Sequence, residues 1–253
     1  MPLGLIAKKL GHTRVYDAQG VMWPVTILLA GPNHVLQVKT QGVDGYNAVQ
    51  LGFDPQKESR LTKPLAGHLR KFSGTDKVLA VKKIKEFRDF SKELKTGETI
   101  GPSLFMVGDF VDLIGVTKGR GFEGVVGRWS FAGGDSTHGA KGWHRRSGAI
   151  GCRLFPGHVR RGLKMPGHMG QARRTAQNLE IIQVLDADNI LLVKGSCPGS
   201  EGDYIIVREA KKLSREMVAK RRVAEEARKK AAPSKAKPGS KPAEAKAAAP
   251  AKK

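Results

Sequence analysis

Carboxylates are almost missing from the middle of this chain. Between Lys118 and Arg174 there are two acids, Glu123 and Asp135, against twelve lysines and arginines. No paired carboxylates are available there for general acid–base work, and no Ser/His/Asp constellation is identifiable, so an enzyme is not expected. Cysteine is equally scarce. Cys152 and Cys197 are the two in 253 residues, unpatterned, and neither a disulfide framework nor a zinc site follows from them. No stretch approaches the roughly 20 apolar residues of a membrane span. The opening Met1-Pro-Leu-Gly-Leu-Ile-Ala-Lys-Lys9 lacks the apolar core and cleavage site of a signal peptide. A cytoplasmic protein with no membrane partner is the expectation.

What is present is positive charge, and it is segregated. The formal net charge is +22. Residues 118–174 carry +10 and residues 208–253 carry +11, which leaves the rest of the chain close to neutral. Charge that served only solubility would have no reason to concentrate on two extensions. Concentrated positive extensions on a neutral body point to a polyanion, most often nucleic acid. Fourteen glycines accompany the bases of 118–174, a composition that cannot pack a core. It suits a long basic arm ordered against polyphosphate.

Apolar runs of strand length recur between turn signals: Val25–Leu29, Val35–Val38, Ala48–Phe53, Val78–Ile84, Phe110–Val116, Leu179–Leu185, Ile190–Val193 and Tyr204–Val207. Asp186-Ala-Asp-Asn189 between two such runs predicts a hairpin. Many short strands with little helix imply a small barrel or sandwich. One helix is expected over Lys63–Lys71, with Thr62 before it and Pro64 in its first turn. The strand pattern stops at Thr117 and resumes at Leu179. The predicted organisation is therefore a β-barrel body of residues 1–117 and 175–208, with a small α+β insertion around 58–95. Residues 118–174 are the inserted arm. Residues 209–253 form a basic extension, helical over Glu209–Lys230 and disordered in its Lys/Ala/Pro tract.

Gly119-Arg-Gly-Phe-Glu-Gly124 matches the glycine pattern of dinucleotide-binding folds. That fingerprint needs a helix directly after the glycines and an acid about twenty residues on. The stretch Val125–Gly134 is a poor helix former, and Asp135 comes too early. No cofactor is expected. His138, His144, His158 and His168 invite a metal, but their neighbours Lys141, Arg145, Arg146, Arg160 and Arg161 would repel a cation, so no metal is expected either. Phosphate or base contacts suit them better.

Nucleic acid meets what these residues offer. Lysine and arginine neutralise phosphates, and arginine also forks onto phosphate or stacks on bases. Trp129, Phe131, Trp143 and His144 are interleaved with the bases and are placed to stack on unpaired nucleotides. Trp129 and Phe131 have an equal claim to packing on the protein's own surface. Folded RNA fits better than duplex DNA, since no recognition helix is visible. The candidate RNA-binding residues are Lys118, Arg120, Arg128, Trp129, His138, Lys141, Trp143, His144, Arg145, Arg146, Arg153, Arg160, Arg161, Lys164, His168, Arg173 and Arg174. The alternative is a nucleoid-type DNA binder driven by the C-terminal tail.

The run Phe105, Asp112, Gly115, Thr117, Gly119-Arg-Gly121, Gly124 and Arg128 resembles the signature of a known family, the bacterial form of large-subunit ribosomal protein L-three. Further segments match it in order: Gly4–Arg14, Asp44–Gln50, Lys63–His68, Gly148–Gly151, Lys164–Gly170, Leu191–Gly195 and Pro198-Gly199. The resemblance spans roughly residues 3–208. It implies a six-stranded barrel of the kind shared with translation factors. It also implies an arm running into large-subunit ribosomal RNA toward the peptidyl transferase centre. By the same resemblance the protein binds near the 3′ end of that RNA early in assembly, touches neighbouring large-subunit proteins, and acts as a scaffold without a small-molecule substrate. Trp143–Pro156 would lie near the arm's tip, with Arg120, Arg128, Arg145, Arg146 and Lys164 among the contacts. Some members carry a methylated glutamine near the tip. Ala149–Gly157 contains no glutamine, so that modification is expected to be absent. The family leaves the extension 209–253 unexplained.

Overall fold

Short strands follow one another almost without helical interruption in the computed structural model, which describes residues 3–17, 19–73, 79–213 and 217. The chain begins with β1 (Gly4–Tyr16) and β2 (Met22–Leu29). Next come β3 (Asn33–Lys39), α1 (Gln41–Asp44), β4 (Ala48–Pro55), α2 (Lys63–Ser73), β5 (Val81–Arg88) and β6 (Thr99–Ile100). Then β7 (Phe110–Val116) leads into β8 (Gly121–Glu123), α3 (Val125–Trp129) and β9 (Gly167–Met169). The chain returns through β10 (Arg173–Leu185), β11 (Ile190–Lys194) and β12 (Tyr204–Glu209).

Six of these strands close a barrel in the order β1-β12-β7-β10-β11-β2. Neighbours are antiparallel, and the first strand pairs with the last, as in Leu5 opposite Val207. Closure removes the unpaired edges of an open sheet. Leu5, Leu28, Val111, Leu113, Ile181, Leu191, Val193, Ile205 and Val207 are among the side chains that form the core. The hairpin predicted at Asp186–Asn189 joins β10 to β11, with Asn189 in the left-handed region and its N–H donated to Asp186 O at 3.2 Å.

The strands β5-β4-β3-β6 make a separate four-stranded sheet. The runs Val35–Val38 and Ala48–Phe53, expected in the barrel body, belong here instead. Alternation fixes which face of a strand is buried but not which sheet it joins. Asn33, fully buried, joins the two sheets. Its amide nitrogen donates to Ile6 O (3.1 Å) and Ala30 O (2.8 Å), and its Oδ1 accepts the Ile6 N–H (3.2 Å). Gly4 supports the same junction. A Cβ there would come within 2.4 Å of the Phe87 ring.

Three boundaries differ from expectation. β1 was not anticipated, because Lys8, Lys9 and His12 interrupt its apolar pattern. Lys9 is nonetheless buried and donates its ammonium protons to Cys197 O (3.2 Å) and Gly199 O (3.0 Å). β5 runs Val81–Arg88, later than the expected Val78–Ile84, and Val78 lies outside the described residues. β10 begins at Arg173, not Leu179. A register shift between Ala176 and Leu179, with Asn178 at φ 57°, breaks the alternation that would have shown the strand continuing. The helix expected at Lys63–Lys71 is present as α2, its Ala66 N–H donated to Thr62 O. Of the helix expected over Glu209–Lys230, Glu209 ends β12 instead. Residues 214–216 and 218–253 lie outside the described residues, as does the Lys/Ala/Pro tract. Cys152 is exposed and Cys197 buried, both as free thiols.

Candidate nucleic-acid interface

Residues 118–174 leave the barrel between β7 and β10 and return to it. Their base is a two-stranded ribbon. Val116 pairs with Arg173, and Gly115 with Arg174. The Thr117 N–H then donates to Ala172 O (3.0 Å), Gln171 N–H to Thr117 O (3.1 Å), and Arg120 N–H to Met169 O (2.9 Å). β8 and β9 continue the pairing, with Phe122 opposite His168. Gly170 sits where the returning segment passes close to Lys118. It has φ of 79°, and a Cβ there would lie 2.1 Å from Lys118 O. Only glycine satisfies both demands.

Above the ribbon the chain makes one helical turn, α3, ended by Ser130 in the left-handed region (φ 60°). This corrects the expectation that no helix follows the glycines. It does not restore the dinucleotide pattern, because Gly121 already belongs to a strand and α3 has five residues. Arg128 Nη1 and Trp129 Nε1 both donate to the Met165 carbonyl at 2.9 Å. The Arg128 guanidinium lies 5.0 Å and the Lys164 ammonium 5.8 Å from the Trp129 ring centroid. Cation–π contacts of this kind are worth about 0.5–1 kcal/mol at exposed sites. Trp129 thus packs within the segment, while keeping 39% of its surface in solvent. The clasp was invisible in the sequence, since a main-chain carbonyl has no residue signature.

Further out, Gly134 N–H donates to His144 O (3.0 Å), and His144 Nδ1 donates to Asp135 O (3.0 Å). Arg146 lies 5.9 Å from the Trp143 ring centroid. His158 Nδ1 donates to Pro156 O at 2.8 Å. The structure brings Arg128, Trp129 and Lys164 together and places Trp143 with Arg146. Lys118, Arg120 and His168 fall along the ribbon. His138, Lys141, Arg145, Arg153, Arg160 and Arg161 lie in the outer loop. Arg173 and Arg174, expected in the arm, are part of β10.

Val125 alone of residues 118–174 is buried. Every candidate residue is exposed except Arg128, which is half-buried. Large apolar side chains are exposed with them, including Phe122, Trp143, Leu154 (97%) and Phe155 (84%). Bases and rings therefore share one surface with almost no carboxylate. Among the described residues, no three His, Cys, Asp or Glu side chains gather as a metal site, and no helix is long and apolar enough to cross a membrane.

Barrel and ribbon together form a closed β-body that presents a cationic, ring-bearing surface. Comparison with known proteins gives it a family. The family model of ribosomal protein L3 matches residues 73–189. The large ribosomal subunit protein uL3 of Akkermansia muciniphila is 45% identical over 215 residues, 84% of this chain and all of that protein. Its namesake from Deinococcus radiodurans is 41% identical over 211 residues, 83% of this chain and 96% of that protein. The chain belongs to the ribosomal protein L3 family.

Proposed function

We propose that this protein is a structural component of the large ribosomal subunit that binds large-subunit ribosomal RNA. The observation that carries the reading is the exposed surface of residues 118–174. Bases and aromatic rings lie open there, a single residue is buried, and two acids oppose twelve bases. An unpartnered surface of this composition gains free energy when phosphates replace its counterions and bases stack on its rings. Membership of the ribosomal protein L3 family supports the same partner.

In this reading the barrel is the body and residues 118–174 form an arm that enters folded RNA toward the peptidyl transferase centre. Lys118, Arg120, Arg145, Arg146, Arg153, Arg160, Arg161, Arg173 and Arg174 neutralise phosphates. Arg128, Trp129 and Lys164 hold the base of the outer loop in shape, and Trp143 and His144 stack on unpaired nucleotides. Binding near the 3′ end of the RNA nucleates assembly, and the RNA performs the chemistry. Neighbouring large-subunit proteins complete the site, and the protein resides on cytoplasmic ribosomes.

The test is sedimentation of a lysate on a sucrose gradient, before and after a high-salt wash, with full-length chain and with a variant lacking residues 121–169. Full-length chain is expected at one copy per large subunit, retained through the wash, and the deletion is expected to depress subunit yield. Normal yield from the deletion, or a chain that follows DNA and washes off, overturns the proposal.

A further inference from the structure

A trough runs along the flank of the barrel, between β5 and the strands β7, β10 and β12. It is made of two adjoining hollows of about 500 and 360 Å³, which share Lys85, Ile114, Arg173 and Ile206. Bases reach it from both walls: Lys83 and Lys85 from β5, and Arg173, Arg208 and Lys211 from the barrel side.

The sequence of β5 shows why the trough is open. Val81 and Phe87 are buried, and Lys83 and Lys85 lie between them at the same two-residue spacing, where packing would call for apolar side chains. Lysine on an edge strand also discourages strand-to-strand aggregation. That accounts for β5 but not for the opposite wall, since Arg173 and Arg208 stand on strands of a closed barrel with no edge to protect.

The barrel wall is held by Asp112, a carboxylate with 1% of its surface exposed. It accepts N–H bonds from Asn178 (3.0 Å) and Lys211 (3.3 Å), and the Arg208 guanidinium lies 3.7 Å away. Arg208 Nε is buried without a hydrogen-bond partner. Acids also line the trough. Glu86 is engaged by Lys39 at 2.8 Å, and that bond holds its carboxyl below the usual range. Asp203 accepts the Ser200 N–H. Asp89 and Glu209 line it as well.

We infer that this trough is a second RNA-binding surface, which seats a stretch of ribonucleotide backbone through its phosphates. The inference rests on the RNA-binding reading of residues 118–174 and extends it to the barrel. Arg173 links the two, standing at the base of the ribbon and in both hollows. A protein partner fits less well. Ile6 and Ile114 on the floor are already buried, and Val116 is the one large apolar side chain exposed there, so little apolar surface remains to bury.

Salt dependence tests it. Full-length Lys85→Gln/Lys211→Gln protein is titrated against a transcript of the 3′ third of large-subunit ribosomal RNA across a salt series. Wild type and Lys85→Arg/Lys211→Arg serve as references. Both side chains are exposed, so folding is expected to be unchanged by circular dichroism. Loss of two phosphate contacts makes the slope of log affinity against log salt shallower by about 1.5, and the arginine pair restores it. A wild-type slope in the glutamine pair overturns the inference while leaving the ribbon's role intact. An unchanged slope with poorer incorporation into subunits assigns the trough to a protein neighbour and equally overturns it. If wild type itself fails to bind the transcript, the parent reading falls, and this one with it.

Discussion

Replacing Gly170 with alanine is expected to open the ribbon and leave the barrel folded. The left-handed conformation at residue 170 costs an alanine about 1 kcal/mol. The new Cβ would stand 2.1 Å from Lys118 O, a main-chain atom that cannot rotate away. Relief requires the two segments of the ribbon to part, at the roughly 1–3 kcal/mol typical of overpacking. The sum, about 2–4 kcal/mol, is more than a two-stranded ribbon supplies alone, since isolated hairpins are marginal in water. The barrel is stabilised by its own closed hydrogen-bonding and core, so the penalty falls on the ribbon as a local opening. Amide hydrogen exchange on the full chain reads this directly. The Arg120 and Gln171 amides, bonded to Met169 O and Thr117 O, should exchange about thirtyfold faster or more, at tenfold per 1.4 kcal/mol. The Leu113 and Val207 amides of paired barrel strands should keep their rates. Unchanged exchange at Arg120 and Gln171 would refute the steric argument, and equal acceleration in the barrel would refute the claim that the ribbon opens independently.

Asn33→Ala removes three buried hydrogen bonds at the junction of the two sheets. It should cost about 2–4 kcal/mol in urea unfolding, since the Ile6 amide and the carbonyls of Ile6 and Ala30 are left without this partner. Tyr204 donates its hydroxyl to Asp54, and burial together with that carboxylate pushes its pKa up to about 12. A tyrosine raised in the folded state contributes stability that is complete below pH 10 and lost as pH rises through 12. The difference in urea midpoint between wild type and Tyr204→Phe should therefore shrink between these values, and a constant difference would contradict the assignment.

Strand-length apolar runs and turn chemistry were the legible parts of this sequence. The strand-length runs announced a β fold, and Asp186–Asn189 announced its hairpin. What stayed hidden depends on long-range partners. Lys9 reads as a surface residue until the carbonyls of Cys197 and Gly199 are seen around its ammonium. The first six residues of β10 read as loop because Asn178 interrupts the alternation. The split between barrel and second sheet depends on Asn33, a lone polar residue that resembles turn punctuation after Gly31-Pro32. The Met165 carbonyl that clasps Arg128 and Trp129 leaves no mark in the side-chain sequence.

Closing the barrel by pairing its first strand with its last sets a timetable for synthesis. Leu5 finds Val207 only after some two hundred further residues have been made. At about 5–20 residues per second, that is a wait of roughly ten to forty seconds on the ribosome. The cationic segment 118–174 emerges during that wait, before its scaffold exists. A nascent chain therefore displays this cationic segment while β1 is still unpaired. Contacts of such high sequence separation also slow folding in general. Early capture of the segment by a polyanion would shorten the loop that β1 and β12 must close, so partner binding and barrel closure would assist one another during biogenesis.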